Sequence, residues 1–201
     1  MRTRILTVVC AAALLIASTA SLVTRAGAAD VPLMLSSARV VVEGTSNVHD
    51  WTASTTAVVL TAVDVATSES DVLQEALQPG SLKRFDVTIP AKGLTSPKEG
   101  IDKNMHKALK VDEHPHITFH LRALDAAAGG YTATGLLTIA GVEKEVVLNL
   151  LVEPKGRTLA VTGTTNLLMT DFRVKAPSAM LGMVKTSPKI TIRLELTVAA
   201  S

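Results

Sequence analysis

The chain has 201 residues, of which 47% are hydrophobic, and its 20 basic side chains nearly balance its 18 acidic ones. Because Lys and Arg are spread along the chain and do not cluster, the charge pattern argues against a nucleic-acid-binding protein. The only cysteine, Cys10, lies close to the N-terminus. The body of the chain therefore has no thiol for a disulfide or for cysteine chemistry.

The first 28 residues have the features of a secretory signal peptide. Arg2 and Arg4 precede a mostly apolar stretch, 5–23, and small residues at 26–28 form a cleavage site. Cleavage after Ala28 would leave one domain, 29–201, of 173 residues, whose 17 basic and 18 acidic side chains give a net charge of −1. We therefore expect a periplasmic or secreted protein. Retention of the segment as an N-terminal membrane anchor is the alternative.

Eight segments of the remaining chain have the composition and length of β-strands and are separated by turn residues. They are 33–43, 46–65, 82–89, 116–124, 130–139, 145–153, 158–166 and 189–199. Apolar and polar residues alternate along them, as where Ile190, Ile192 and Leu194 share a face opposite Arg193. The pattern predicts a single antiparallel eight-stranded β-barrel with a polar outer face. Segment 71–77 is either a helical turn or a loop that crosses the barrel.

One short helix is predicted between the third and fourth strands. Ser96-Pro97-Lys98-Glu99 is a helix-start signal, with a capping serine, a proline in the first turn and an acid three residues after the serine. The apolar residues that follow recur at helical spacing: Ile101, Met105, Ala108 and Leu109. After Pro115 the period changes to two, which marks the return to a strand. A single amphipathic helix among strands indicates a barrel with an inserted lid or plug and argues against a catalytic α/β fold.

The sequence leaves open whether the barrel interior is filled or holds a ligand. Inward aliphatic side chains usually pack against one another, which favours a filled interior. Only five aromatic residues follow the N-terminal segment, so little ring volume is available to fill an eight-stranded lumen. Methionines in 169–182, a loop or short helix expected near the barrel mouth, would add adaptable apolar surface that suits a ligand.

Four blocks of the chain, taken in order, are typical of one protein family. They are GTSNVHDW at 44–51, MHKALKVDEHPHITF at 105–119, GLLTIAGV at 135–142, and 169–182, which begins with MTDF. These blocks resemble the YceI-like lipid/polyisoprenoid-binding family. The resemblance implies a lipocalin-like barrel that is exported and holds a polyprenyl phosphate or an isoprenoid quinone, with no other cofactor. It is compatible with a homodimer and with a transient contact with a membrane.

The strand alternation, the inserted helix and the resemblance together predict the side chains that contact a ligand in the lumen. They are Val42, Trp51, Phe85, Val87, Met105, Leu109, Phe119, Leu121, Leu137, Ile139, Leu148, Phe172, Met180, Ile192 and Leu194. Lys103, Lys107 and Arg173 are candidates for contact with an anionic head group, and the alternative is that each is a solvated surface charge. The family resemblance implies a small residue after Phe172, where this chain has Arg173.

The spacing of polar residues argues against an enzyme and against a metal site. On a strand, His49 and Asp50 face opposite sides and Ser46 lies about 10 Å from His49, too far for a hydrolytic triad. His116 and His120 lie about 13 Å apart along a strand, so these two side chains cannot share a zinc ion. We therefore expect no catalytic residues and no metal, and predict a protein that binds an isoprenoid lipid for transport or storage. A filled-barrel structural or interaction protein of the cell envelope is the alternative.

Overall fold

The computed structural model describes residues 33–66, 71–179 and 183–201, so the predicted signal peptide lies outside the described residues. The strands are β1 (Leu33–Ser46), β2 (Trp51–Thr55), β3 (Val59–Val65), β4 (Leu82–Pro90), β5 (His116–Ala127), β6 (Gly130–Ile139), β7 (Val142–Lys155), β8 (Thr158–Leu168), β9 (Ser178–Ala179) and β10 (Val184–Ala200). The α-helices are α1 (Val72–Glu75) and α2 (Glu99–Leu109), with short 3-10 turns at Ala91–Gly93 and Met169–Phe172.

The strands form one curled antiparallel sheet, which confirms the predicted all-β barrel class, although the described chain has ten strands where eight were predicted. Its order is β2-β1-β10-β8-β7-β6-β5-β4-β3, and the two-residue β9 pairs with β10. The end strands β2 and β3 follow each other in the chain, and β1 contacts β3 across the gap between them. Among the described strands no backbone ladder joins β2 to β3, so the wall curls round without complete closure by hydrogen bonds.

The prediction of one long second strand, 46–65, is wrong, because this stretch forms β2 and β3. The chain turns after β2, where the hydroxyl of Thr55 accepts a hydrogen bond from the amide of Ala57 at 3.0 Å. The free edge of β2 then pairs with the segment that precedes α2. The amide of Ser54 donates to the carbonyl of Thr95 at 2.7 Å, and the amide of Thr95 donates back at 3.0 Å. The α2 segment is thereby attached to the barrel wall.

A tight hairpin fixes the register of β6 and β7. Its two connecting residues, Ala140 and Gly141, have φ angles of 49° and 75°, the signature of a type I′ turn that matches the twist of the paired strands. Ile139 consequently pairs with Val142, and the ladder continues from that pair to Tyr131. The register places the alternate apolar residues of both strands on the inside of the barrel.

Two clusters of buried apolar side chains lie at opposite ends of the barrel. Leu33 on β1 and Val198 on β10 belong to one cluster, while Val42 and Ile190 on the same strands belong to the other. Eight or nine residues separate the clusters, which is about 26–30 Å along a strand. α1 contributes to the first cluster and α2 to the second, so we name these the α1 end and the α2 end of the barrel.

Local hydrogen bonds explain where α2 begins. The hydroxyl of Ser96 accepts from the amide of Lys98 at 3.2 Å, and the carboxylate of Asp102 accepts from the amide of Ser96 at 2.6 Å. The predicted capping box is therefore wrong, because the N-cap residue is Lys98 and not Ser96, and the acid that accepts from the amide of Ser96 is Asp102 and not Glu99. The helix itself is confirmed, and it begins at Glu99.

Segment 71–77 forms a helical turn. The carboxylate of Asp71 accepts a hydrogen bond from the amide of Gln74 at 3.2 Å and so caps α1. Val72, Leu73 and Ala76 are buried in the cluster at the α1 end.

Within the described ranges, no helix has both the length and the apolar character that crossing a membrane requires.

Candidate functional site

An apolar cavity lies inside the barrel. Its volume of about 280 Å³ is close to the smallest volumes that are usual for small-molecule binding sites. It is lined at the α1 end by residues such as Ala76 and Val198, and at the α2 end by Met105, Phe172 and Ile190. The lining therefore runs from one end of the barrel to the other. The described side chains do not fill the interior completely.

Thirteen of the fifteen predicted lumen residues lie on the cavity wall. They are Val42, Phe85, Val87, Met105, Leu109, Phe119, Leu121, Leu137, Ile139, Leu148, Phe172, Ile192 and Leu194. These residues come from six strands (β1, β4, β5, β6, β7 and β10), from α2 and from the 169–172 turn. Their contact with a ligand stays a prediction. Met180 lies outside the described residues. The lining also includes Leu94. This residue lies before α2 and outside any strand or helix, so no periodic pattern in the sequence could have identified it.

Trp51 does not line the cavity, so its predicted place there is wrong. It pairs across the β1–β2 ladder with Gly44, and its indole occupies the space that a Cβ of Gly44 would need. The ring packs against the buried cluster at the α2 end, and its buried Nε1 has no hydrogen-bond partner among the described residues. Gly44 thus lets the indole lie across β1 on the inner face of the wall, at the α2 end of the barrel.

The cavity wall exposes no polar atom among the described residues. Its lining includes two threonines, and the hydroxyl oxygen of each is bonded to the backbone. Thr165 donates to the carbonyl of Val147 at 3.0 Å, and Thr55 accepts from the amide of Ala57 at 3.0 Å. The wall can therefore pack against hydrocarbon but offers no convergent polar groups for chemistry.

One face of α2 closes the cavity at the α2 end. Met105, Ala108 and Leu109 line the cavity, while Lys103 is exposed on the opposite side. The ring nitrogen Nε2 of His106 lies 2.8 Å from the carbonyl oxygen of Leu94 and ties the helix to the segment before it. Three of the four residues of the predicted apolar stripe thus line the lumen, and Ile101 does not.

The three predicted head-group residues are exposed and lie at the α2 end. Lys103 and Lys107 are one helical turn apart on α2, whereas Arg173 follows the 169–172 turn. Within the described part of the chain none of the three forms an ion pair. Arg173 has a φ of 54°, a conformation that glycine adopts without strain, which explains why a small residue suits this position. Their contact with an anionic head group stays a prediction.

Ser46 and its neighbours form a turn and not a catalytic triad. The hydroxyl of Ser46 donates to the carbonyl of His49 at 2.8 Å and accepts from the amide of His49 at 3.1 Å. Nothing in the sequence indicated the structural role of the adjacent Asn47. Its side-chain amide donates to the carbonyl of Met183 at 2.8 Å and accepts from the amide of Lys185 at 2.7 Å. Asn47 thereby joins the turn after β1 to the start of β10.

The histidines have separate structural environments. Nδ1 of His120 lies 3.1 Å from a carboxylate oxygen of Asp86, and the ring of His114 lies over Gly141. In the described ranges no three His, Cys, Asp or Glu side chains are grouped so that they could hold a metal ion.

Asp86 lies on the outer face of the wall, with only 5% of its surface exposed. Its carboxylate contacts Arg84 and His120. Burial alone would raise the pKa of the Asp86 carboxyl, but the hydrogen bonds and charges of Arg84 and His120 together outweigh burial and hold this pKa below its ordinary value. Asp86 does not line the cavity, so this cluster stabilises the wall of β4 and β5.

Three solved structures have a similar fold. BcnA from Burkholderia cenocepacia is 17% identical, with a TM-score of 0.64 over 81% of this chain and 96% of that chain. A polyisoprenoid binding domain from Saccharophagus degradans implicated in plant cell wall breakdown is 11% identical, with a TM-score of 0.59 over 84% and 98%. A YceI protein from Campylobacter jejuni is 17% identical, with a TM-score of 0.53 over 72% and 84%. At these identities the likeness establishes the fold alone.

No curated protein is similar enough in sequence to count as a match. The family model described as the YceI-like domain, in contrast, matches residues 34–198. This range includes nearly all of β1 to β10 and both helices, and so contains the whole barrel. The chain therefore belongs to the YceI-like family.

Proposed function

We propose that this protein is an exported carrier that holds the hydrocarbon tail of an isoprenoid amphiphile in the lumen of its barrel. The observation that carries the proposal is the cavity, which is apolar along its whole described length and lies between the two ends of the barrel. The polyisoprenoid binding domain from Saccharophagus degradans, which shares the fold, supports the same ligand class. The described part of the wall exposes no polar atom to the cavity, which supports a role in binding.

The hydrophobic effect is sufficient for such binding. Micromolar affinity corresponds to about 8 kcal/mol, and association costs at least about 4 kcal/mol more. At about 25 cal/mol per Å², these two amounts require about 500 Å² of buried apolar surface. A twenty-carbon tail has about 600 Å² of such surface, because each CH₂ group contributes about 0.8 kcal/mol at the same coefficient. One tail enclosed in the lumen would therefore bind tightly without polar contacts.

Two neighbouring residues on β7 provide a matched test. Leu148 lines the cavity, whereas Val147 faces outwards with 49% of its surface exposed. Leu148 pairs with Ala133 across the ladder, so the indole of Leu148→Trp has space toward a small neighbour. We expect Leu148→Trp to weaken the binding of menaquinone-4 by at least about tenfold, since the indole occupies space that the tail needs. Val147→Trp should bind like the wild type.

The binding is measured by titration of delipidated protein with menaquinone-4, and circular dichroism checks that each variant is folded. A second lumen variant, Ile192→Trp on β10, keeps the test decisive if Leu148→Trp does not fold. Equal binding by the lumen variants and by Val147→Trp would show that the ligand does not occupy the lumen. No binding by the wild type would favour the filled-barrel structural protein.

Export is the second part of the proposal and rests on the signal-peptide pattern of 1–28. Mass spectrometry of the protein expressed with its full N-terminal segment would test it. We expect a mature chain that begins at Ala29 and is recovered from the periplasm or the medium. An intact Met1 in the membrane fraction would instead support the anchored alternative.

A further inference from the structure

We infer that the lumen selects its ligand by the tail alone: it accepts an unsubstituted hydrocarbon tail of about four isoprene units and hardly distinguishes between head groups. This inference rests on the proposed function and specifies the ligand class for the same cavity. It depends on three observations: the chemistry of the wall, the length of the lined region, and the exposure of the charges outside it.

The wall has nothing with which to recognise a polar group. Among its described lining residues none is titratable, and the oxygens of the two threonine hydroxyls are already bonded to the backbone. A hydroxyl in the middle or at the far end of a tail would therefore lose its water without gaining an adequate partner. This penalty corresponds to at least about a tenfold loss of affinity.

The length of the lined region fits a tail of intermediate size. On β10 the lining extends from Ile190 to Val198, and on β8 from Leu159 to Leu167. Eight residues span about 26 Å along a strand, or about 20 Å along the axis of a barrel whose strands are tilted by about 40°. Four C–C bonds give an extended isoprene unit a length of about 5 Å, so four units match this length. A shorter tail would leave apolar wall uncovered.

The head group of such a ligand stays outside the lumen. The three candidate cations, Lys103, Lys107 and Arg173, are exposed at the α2 end. An exposed ion pair changes an affinity by about fivefold at most in low salt, and physiological salt weakens it further. An anionic head group should therefore change the affinity by no more than about threefold at physiological ionic strength.

Three ligands with one tail and different heads test the inference: geranylgeraniol, geranylgeranyl phosphate and menaquinone-4. Their dissociation constants are measured by competition against labelled geranylgeraniol on delipidated protein, below the concentration at which any of them aggregates. We expect the three constants to agree within about threefold. Geranylgeraniol with a hydroxyl at the far end of its tail, and farnesol with one isoprene unit fewer, should each bind at least about tenfold more weakly.

The double variant Lys103→Ala/Lys107→Ala completes the design, and it should bind geranylgeranyl phosphate within about threefold of the wild type. A more than tenfold preference for one head group would overturn the inference, as would full binding of the hydroxylated tail or of farnesol. In those cases the carrier function itself would stand, because a ligand is still bound. Failure of all three common-tail ligands to bind would overturn the carrier function together with the inference.

Discussion

Replacement of Asn47 should destabilise the protein by an amount that follows from its two side-chain hydrogen bonds. The amide donates to the carbonyl of Met183 and accepts from the amide of Lys185, at 2.8 Å and 2.7 Å. Each bond contributes about 0.5–1.5 kcal/mol, so Asn47→Ala should lower the free energy of unfolding by about 1–3 kcal/mol. Because Asn47 is exposed, we expect a value in the lower half of this range. Asn47→Asp keeps the acceptor and loses the donor, so it should cost about half as much.

Asn149 provides the control for these variants. It is exposed on β7, and its side chain forms no hydrogen bond within the described part of the chain, so Asn149→Ala should change stability by less than about 0.5 kcal/mol. The assay is urea denaturation, in which the midpoint should fall while the m-value stays the same. Equal stability of Asn47→Ala and Asn149→Ala would refute the conclusion that the side chain of Asn47 joins the turn after β1 to the start of β10.

Three further substitutions test other parts of the structure. Gly44→Ala should destabilise the protein by about 1–3 kcal/mol in urea denaturation, because the new methyl group overlaps the indole of Trp51; an unchanged midpoint would contradict the packing. Arg173→Gly should raise the melting temperature, because it relieves a positive φ that costs about 1 kcal/mol for a non-glycine residue; a lower melting temperature would contradict this. Asp86→Asn should be less stable than the wild type at neutral pH. Because the folded-state pKa of Asp86 lies below the unfolded value of 3.8, the difference should shrink as the pH falls below about 4, and a constant difference would contradict the pKa assignment.

Apart from Trp51, every strand residue that the alternation of apolar side chains predicted for the lumen lies on the cavity wall. Ile192 and Leu194 on β10 illustrate the reason, because a period of two fixes the face of each residue once one face is known to be buried. Trp51 follows the same rule and shares the inner face with Thr55, but its indole lies over Gly44 on the paired strand and is not part of the cavity lining. The apolar pattern of one strand does not show which residue of the paired strand its side chains contact.

Contacts between distant parts of the chain were not predictable from local patterns. Asn47 bonds to the backbone 136 and 138 residues later in the sequence, and only the β1–β10 pairing brings the two segments together. The break between β2 and β3 was also missed, because 56–58 is Thr-Ala-Val and contains neither glycine nor proline. In both cases a single polar side chain, Asn47 or Thr55, determines the local path of the backbone.

Native mass spectrometry of the mature protein tests the central claim most directly. The protein should be purified without detergent from a host that contains membranes, and the bound material extracted with organic solvent and identified. The account predicts one stoichiometric adduct per chain that extracts as an isoprenoid amphiphile, and that is absent from Leu148→Trp but present in Val147→Trp. A mass without adduct, unchanged after incubation with isoprenoid quinones and polyprenyl phosphates, would contradict the carrier function.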